Sequence, residues 1–153
     1  MYKKILVPLD GSELAECVLP HVESISRGCN TSAVVLARVI DSYVPSASYT
    51  YISESLRNEL EGNTEKAVYE YLNTIAERIN LGGIEVQKQL LKGRADESIT
   101  EYAEKNDFDL ITIATHGRSG ISRWAWGSVA DRILRSACVP VLMIRAPGCI
   151  PGI

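Results

Sequence analysis

Apolar residues fall along the chain in short continuous runs that alternate with longer stretches of helical spacing. The first run, Lys4-Ile5-Leu6-Val7-Pro8, stops at Asp10-Gly11-Ser12, whose turn and N-cap chemistry hands a strand over to a helix. Leu14, Val18, Val22 and Ile25 then recur at roughly helical spacing until Gly28 and Asn30 supply a stop. Ala33 to Ile40, β-branched and mostly apolar, predicts a second buried strand. Between Asp41 and Ser55 the pattern dissolves into Ser, Tyr, Pro and Ala, with Tyr43, Tyr49 and Tyr51 in no sustained period, which reads as a flexible excursion and not as a domain boundary. From Leu56 to Ile79 helical order returns, with Leu60, Ala67, Tyr71, Ile75 and Ile79 on or near one face, and Gly82-Gly83 ends it.

Ile84 to Leu90 predicts a third strand, and its partial alternation points to an edge or a less covered position. Ala95, Ile99 and Ala103 mark a short helix, Asp109 to Ala114 a fourth strand, Val129 to Leu134 a helix and Val139 to Ile144 a fifth strand. Strands that alternate with helices call for right-handed crossovers and a parallel sheet covered on both faces. The expected fold is therefore α/β: a single-domain, open, parallel five-stranded sheet with helices on both faces, Rossmann-like in plan. In such sheets a ligand settles at the carboxyl ends of the strands, where the winding reverses.

Composition narrows the function classes. The chain has 153 residues and a formal net charge of −3, which suits one domain with a proper core and gives no electrostatic case for a nucleic-acid partner. No apolar segment approaches the ~20 residues that span a bilayer, and MYKKILVPLD runs directly into strand-like sequence with no signal-peptide cleavage region. A cytoplasmic protein with no membrane role is expected. Cys17, Cys29, Cys138 and Cys149 are scattered, with no CxxC pair, and read as ordinary thiols. Cys17 and His21 share a helix, but two potential ligands do not make a metal site, so His21 is expected on the rim of the buried face.

The chemistry-bearing residues collect at strand ends. Strand one ends in Pro8-Leu9-Asp10-Gly11-Ser12, strand two in Val39-Ile40-Asp41, and strand four in Ala114-Thr115-His116-Gly117-Arg118-Ser119-Gly120. Glycines at 117, 120 and 127 let backbone approach a ligand closely and can aim N–H groups into an anion-binding nest. Gly127-Ser128 opens a helix whose first N–H groups and positive dipole end favour a phosphate.

Each of these residues also has a plainer role. Ser128 with Asp131 fits a capping box, and the hydroxyl can serve both ends. Asp10 either caps the first helix or, on a phosphate rim, accepts from ribose hydroxyls or binds Mg²⁺. His116 has no acid or nucleophile partner in sequence, so a loop hydrogen bond is favoured over general-base work. Trp124 and Trp126 are assigned to packing, ahead of stacking on a base. No G-x-x-x-x-G-K-[ST], no G-x-G-x-x-G after strand one and no kinase signature set is present.

The opening KKILVPLDGS, the segment Ala114 to Gly120, Gly127-Ser128 and the closing VPVLMIR together resemble the universal stress protein family, over essentially the whole chain. Its ATP-binding members carry G-x2-G-x9-G-[ST] after strand four. Here Gly117 matches the second glycine, Gly127 the last and Ser128 the hydroxyl, while Ala114 departs from the first. The resemblance implies one universal stress protein domain over 1–153, of the adenine nucleotide alpha hydrolase-like type. It implies adenine near Val39 and Ile113, Asp10 on the ribose or on a phosphate-bound Mg²⁺ or Mn²⁺, and phosphates on Gly117, Gly127, Ser128 and the Val129 amide. Pro8, Leu9, Gly11, Ser12, Ala114, His116, Arg118 and Gly120 complete the expected site.

The leading expectation is a regulatory, stress-linked protein that binds ATP, or ADP or AMP, as a homodimer joined through Val139 to Ile144, with little turnover. The alternatives are an interaction protein without nucleotide, and a slow ATPase or phosphotransferase. Against the last, the sequence shows no convincing base, nucleophile or arginine finger, although Arg118 and Arg123 could reach phosphates.

Overall fold

The computed structural model describes residues 1–40, 54–115 and 128–145. Five parallel strands form one sheet: β1 (Lys4–Pro8), β2 (Ala33–Ile40), β3 (Glu85–Lys92), β4 (Leu110–Thr115) and β5 (Val141–Arg145). Their order is β3-β2-β1-β4-β5. The helices are α1 (Leu19–Gly28), α2 (Glu54–Arg78), α3 (Ala95–Lys105) and α4 (Ser128–Ser136), with a 3₁₀ turn at Ala15–Val18 ahead of α1.

The sheet order explains which residues are hidden. β1 sits at the centre, with Ile5 opposite both Val34 of β2 and Leu110 of β4, and all four of its interior residues from Ile5 to Pro8 are buried. Parallel pairing with cover on both faces makes such a strand a continuous apolar run. Winding proceeds outward from β1 through β2 to β3, then crosses back past β1 to β4 and on to β5. Consequently α1 and α2 cover one face, packing Val18, Val22, Val68, Leu72 and Ile75 on Ile5, Val7, Val34 and Leu36. Helices α3 and α4 cover the other, with Ile99, Ala103, Ala130 and Ile133 on Leu6, Val35, Ala37 and Ile111. β3 lies at an edge, as its alternation suggested, and exposes Glu85, Gln87 and Lys88.

Several expectations shift. Leu14 is 40% exposed, because the chain first makes a 3₁₀ turn, whose period of three buries Ala15 and Val18 instead. Along α2 the buried stripe is Val68, Leu72 and Ile75, continued by Ile79 just past its end, with Tyr71 half-buried, whereas Ala67 and Leu60 face out. The stripe at i, i+4, i+7 and i+11 is the one that meets β2 and β3. His21 is exposed, off the rim where it was expected. Asp109 stands outside β4: its Oδ2 accepts the N–H groups of Lys3 and Lys4 at 2.8 Å each, pinning the entrance of β1. The third strand starts at Glu85 and runs to Lys92, the fourth at Leu110 and the fifth at Val141. Residues 41–53 of the 41–55 excursion lie outside the described residues, and the helix after it begins at Glu54.

Candidate functional site

The winding reverses between β1 and β4, and beside their carboxyl ends lies a cavity of about 190 Å³. Pro8, Leu9 and Asp10 line it from β1, Ala37 and Val39 from β2, Ile113 and Ala114 from β4, Ala15 from the 3₁₀ turn, Ala95 and Ile99 from α3, and Val129 and Ala130 from α4. Five of these positions are alanine, the smallest side chain with a Cβ, so little side-chain volume is spent on the wall. An apolar cavity of about 150 Å³ takes a benzene ring. The space here is thus on the scale of one flat ring system, with any attached polar groups lying outside it.

Among the described residues, Asp10 is the one titratable side chain of the lining. It is exposed and belongs to a tight turn: its Oδ1 accepts the Ser12 N–H at 2.8 Å and the Ser12 hydroxyl at 2.6 Å. Ser12 in turn caps the 3₁₀ segment, with its Oγ accepting the Ala15 N–H at 3.2 Å. The turn needs Gly11, which sits at φ +88°. The capping role foreseen for Asp10 is therefore relayed through Ser12. On the inner side, the Leu9 N–H donates to the Ala37 carbonyl at 2.8 Å and continues the β1–β2 ladder one residue beyond β1. That bond holds the start of the turn against the cavity wall.

Charged groups stand behind the turn, on the α2 side. The Arg38 guanidinium lies 5.3 Å from the centre of the Tyr71 ring. The Tyr71 hydroxyl donates to Glu16 Oε1 at 3.3 Å, and Arg78 pairs with Glu16 Oε2 at 2.8 Å. Burial first, then the charge and hydrogen bond of Glu16 and the charge of Asp10, push the Tyr71 phenol well above its ordinary range, with Arg38 acting the other way. Tyr71 thus stays a donor at any physiological pH.

A second group ties α3 to α4. Asp96, buried in the first turn of α3, accepts from Arg94 at 2.8 Å, and Arg132 of α4 stands 3.8 Å away. Burial pushes the Asp96 carboxyl up, but the Arg94 hydrogen bond, the residue's own N–H and the two arginine charges outweigh it and hold the carboxyl below its usual range.

Of the residues expected at the site, the cavity brings together Pro8, Leu9, Asp10, Val39, Ile113, Ala114 and Val129. Gly11 and Ser12 shape the Asp10 turn without lining the space, and Ser128 opens α4. His116, Gly117, Arg118, Gly120 and Gly127 lie outside the described residues, as do Arg123, Trp124 and Trp126. Ala15, Ala37, Ala95, Ile99 and Ala130 were not foreseen at the site; the alanines' only sequence signal is small size near the start of a helix or within a strand, and that of Ile99 is its helical spacing in α3. Asp131 accepts the Arg135 Nε at 3.0 Å, an (i, i+4) pair that a capping box alone would not provide. Among the described residues no cluster of three or more His, Cys, Asp or Glu stands ready for a metal, and no helix is long and apolar enough to cross a membrane. Cys17, Cys29 and Cys138 are free thiols, as expected, and Cys149 lies outside the described residues.

The model of the universal stress protein family matches residues 1–145. Universal stress protein MJ0531 of Methanocaldococcus jannaschii is 30% identical over 151 residues, covering 96% of this chain and 84% of that one. The solved structure of hypothetical protein MJ0577, from the same organism, superposes at a TM-score of 0.78 with 28% identity, covering 97% and 99% of the two chains. Two more distant structures share the fold: a universal stress protein in complex with cAMP (TM-score 0.68, 18% identity, 95% and 98% covered) and an Arabidopsis thaliana family protein with AMP bound (TM-score 0.66, 16% identity, 95% and 93% covered).

Proposed function

The chain belongs to the universal stress protein family, and on that premise we propose that it is a single domain over 1–153 that binds an adenine nucleotide at the cavity between β1 and β4. The observation that carries this reading is the cavity itself: an apolar slot of ring size at the switch point, lined by Asp10 after β1 and by Val129 and Ala130 of the first turn of α4. An adenine ring fits the slot between Val39 and Ile113, and the ribose and phosphates then extend over the rim. The N-terminus of α4 favours the phosphates through its unpaired N–H groups and dipole. Gly117, Gly127 and Ser128 are assigned to the phosphates on the motif alone, with His116, Arg118 and Gly120 in the same loop. Relatives of this fold bind cAMP and AMP, which supports the class of ligand.

ATP, or ADP or AMP, is the proposed physiological ligand. A Mg²⁺ or Mn²⁺ ion fits a site with a single carboxylate, because Mg²⁺ is commonly held by one or two carboxylates together with the substrate's own phosphates. Asp10 would supply that carboxylate, or accept from the ribose hydroxyls. The metal, when bound, neutralises phosphate charge. Among the described residues Asp10 is the one titratable group of the lining, and the nucleotide is proposed to serve as a signal read through conformation or partners, with little turnover. The protein is proposed to act in the cytoplasm as a homodimer.

Titration calorimetry with ATP and Mg²⁺ tests the reading. Saturable binding at one site per chain is expected, and no detectable binding at millimolar nucleotide overturns it. Mass spectrometry of ligand released from freshly purified protein identifies the nucleotide carried.

A further inference from the structure

On the face of β2 that α2 covers, Val34 and Leu36 are fully hidden apolar residues, and the next position of the alternation is Arg38. An arginine there interrupts an apolar row, so its head group needs a reason to be held. Two surfaces hold it. One is the Tyr71 ring of α2, 5.3 Å from the guanidinium carbon to the ring centre, a distance at which the cation is drawn to the ring face. The other is Gly11: a Cβ built on this glycine would stand 2.7 Å from Arg38 Nη1, 2.9 Å from Cζ and 3.0 Å from Nη2. Three atoms of one planar group at nearly equal distances mean that the guanidinium lies broadside against the glycine. Tyr71 is itself fixed, through its bond to Glu16, which Arg78 clamps from α2.

The turn Asp10-Gly11-Ser12 keeps its internal shape through the two bonds from Ser12 to Asp10. Those bonds do not say where the turn stands relative to the rest of the site. The Leu9–Ala37 bond holds only the start of the turn; the Arg38 plate supplies a reference for its centre, because it lies against Gly11 and its own neighbour in β2, Val39, lines the cavity. We infer that Arg38 is a positioning residue of the nucleotide site, which by backing Gly11 sets where the Asp10 carboxylate stands relative to Val39 and hence relative to the bound base and ribose. This rests on the nucleotide reading above. Shape matters as much as charge: lysine offers a point charge on a flexible stem and no flat face.

The test is a double-mutant cycle by calorimetry with Mg-ATP on wild type, Arg38→Met, Asp10→Ala and the double variant, with thermal midpoints measured on each. Arg38→Met is expected to weaken ATP about tenfold, an ordinary size of coupling between neighbouring residues. In the Asp10→Ala background the same change is expected to do nothing further, since the residue acts through Asp10. Arg38→Lys is expected to bind as weakly as Arg38→Met, and it carries the same comparison if the methionine variant does not fold. In the ligand-free protein, either variant should shift the Gly11 and Ser12 amide resonances and speed exchange of the Ser12 amide proton.

Additive losses in the cycle, full rescue by lysine, or unmoved Gly11 and Ser12 resonances would each overturn the inference while leaving nucleotide binding standing. A wild-type chain that binds no nucleotide overturns both.

Discussion

Ala37 offers the sharpest test of whether the cavity is a ligand slot or a packing void. It is fully buried on β2, and its methyl faces the space between α3, α4 and the sheet. Replacing it with leucine adds three carbons to a hollow of about 190 Å³. At roughly 30 Å³ each, the share of a molecule of water in the liquid, these fill about half of it. Burying them contributes up to ~2.4 kcal/mol at ~0.8 kcal/mol per methylene. Imperfect fit in a site not shaped for leucine costs about 1–3 kcal/mol. The two nearly cancel, so stability should stay within about 1 kcal/mol of wild type.

Binding should not survive the same change. What remains of the hollow is smaller than the ~150 Å³ that takes a benzene ring, so the base has no place to go. ATP affinity measured by calorimetry is expected to fall at least about a hundredfold, ~2.7 kcal/mol, while the thermal midpoint scarcely moves. Unchanged affinity would show that the base lies elsewhere. A loss of more than about 3 kcal/mol in urea unfolding would show that the wall cannot accept the leucine and would refute the volume argument.

Three further outcomes are expected. Asp96 has a folded-state pKa below its unfolded value, so the folded protein binds the proton less readily, and the stability this provides is complete above about pH 4 and is lost as pH falls through the folded pKa. Asp96→Asn should cost about 1–2 kcal/mol near neutral pH, and the gap from wild type should stay constant above about pH 4 and narrow in urea titrations as pH falls below it; a gap that stays constant below about pH 4 would refute the assignment. Ala114→Gly should raise ATP affinity by no more than about tenfold, and wild type that binds nothing beside an Ala114→Gly variant that binds tightly would show that alanine is not tolerated there. Light scattering should return a dimer joined through Val139 to Ile144, since among the described residues β5 is an edge strand, and an edge strand invites pairing with a second copy; a monomer at all concentrations would refute it.

The strands were legible because the central ones are buried on both faces and so write themselves as unbroken apolar runs. β1 and β2 begin and end where the runs Lys4–Pro8 and Ala33–Ile40 do. The helical stripe on α2 was less legible. Alanine and leucine at Ala67 and Leu60 look as apolar as Val68 and Leu72, and only the crossing of the helix over β2 and β3 decides which row faces in. Ala114 shows the same limit in the site. Its place in a glycine motif raised the question of positive φ, which the sequence alone could not answer. In the structure it pairs with Ile144 inside β4, and among the described residues Asn30 and Asp107 are the non-glycines with positive φ. Its methyl therefore bears on space beside the cavity and not on backbone shape.

Arg38 was hidden from sequence reasoning for a different reason. Inside the run Ala33 to Ile40 it reads as one polar interruption of a strand, the kind that a solvent-facing position would explain. What gives it meaning is a partner 27 positions earlier, Gly11, and another 33 positions later, Tyr71, and neither separation carries a local pattern. Gly11 had its own sufficient explanation in the turn. A glycine that is required twice, once for its φ of +88° and once because a guanidinium lies where a side chain would begin, looks in sequence the same as a glycine required once. The consequence is testable in the other direction. Gly11→Ala in an Arg38→Met background removes the close approach but keeps the φ strain, so it should cost less than Gly11→Ala in the wild type by the amount that belongs to the guanidinium contact. Because the guanidinium ends a flexible side chain and can shift, that part should be the smaller one, about 0.5 kcal/mol against roughly 1–2 kcal/mol for alanine held at positive φ. Equal costs in the two backgrounds, by urea unfolding, would mean that Arg38 and Gly11 do not bear on each other at all.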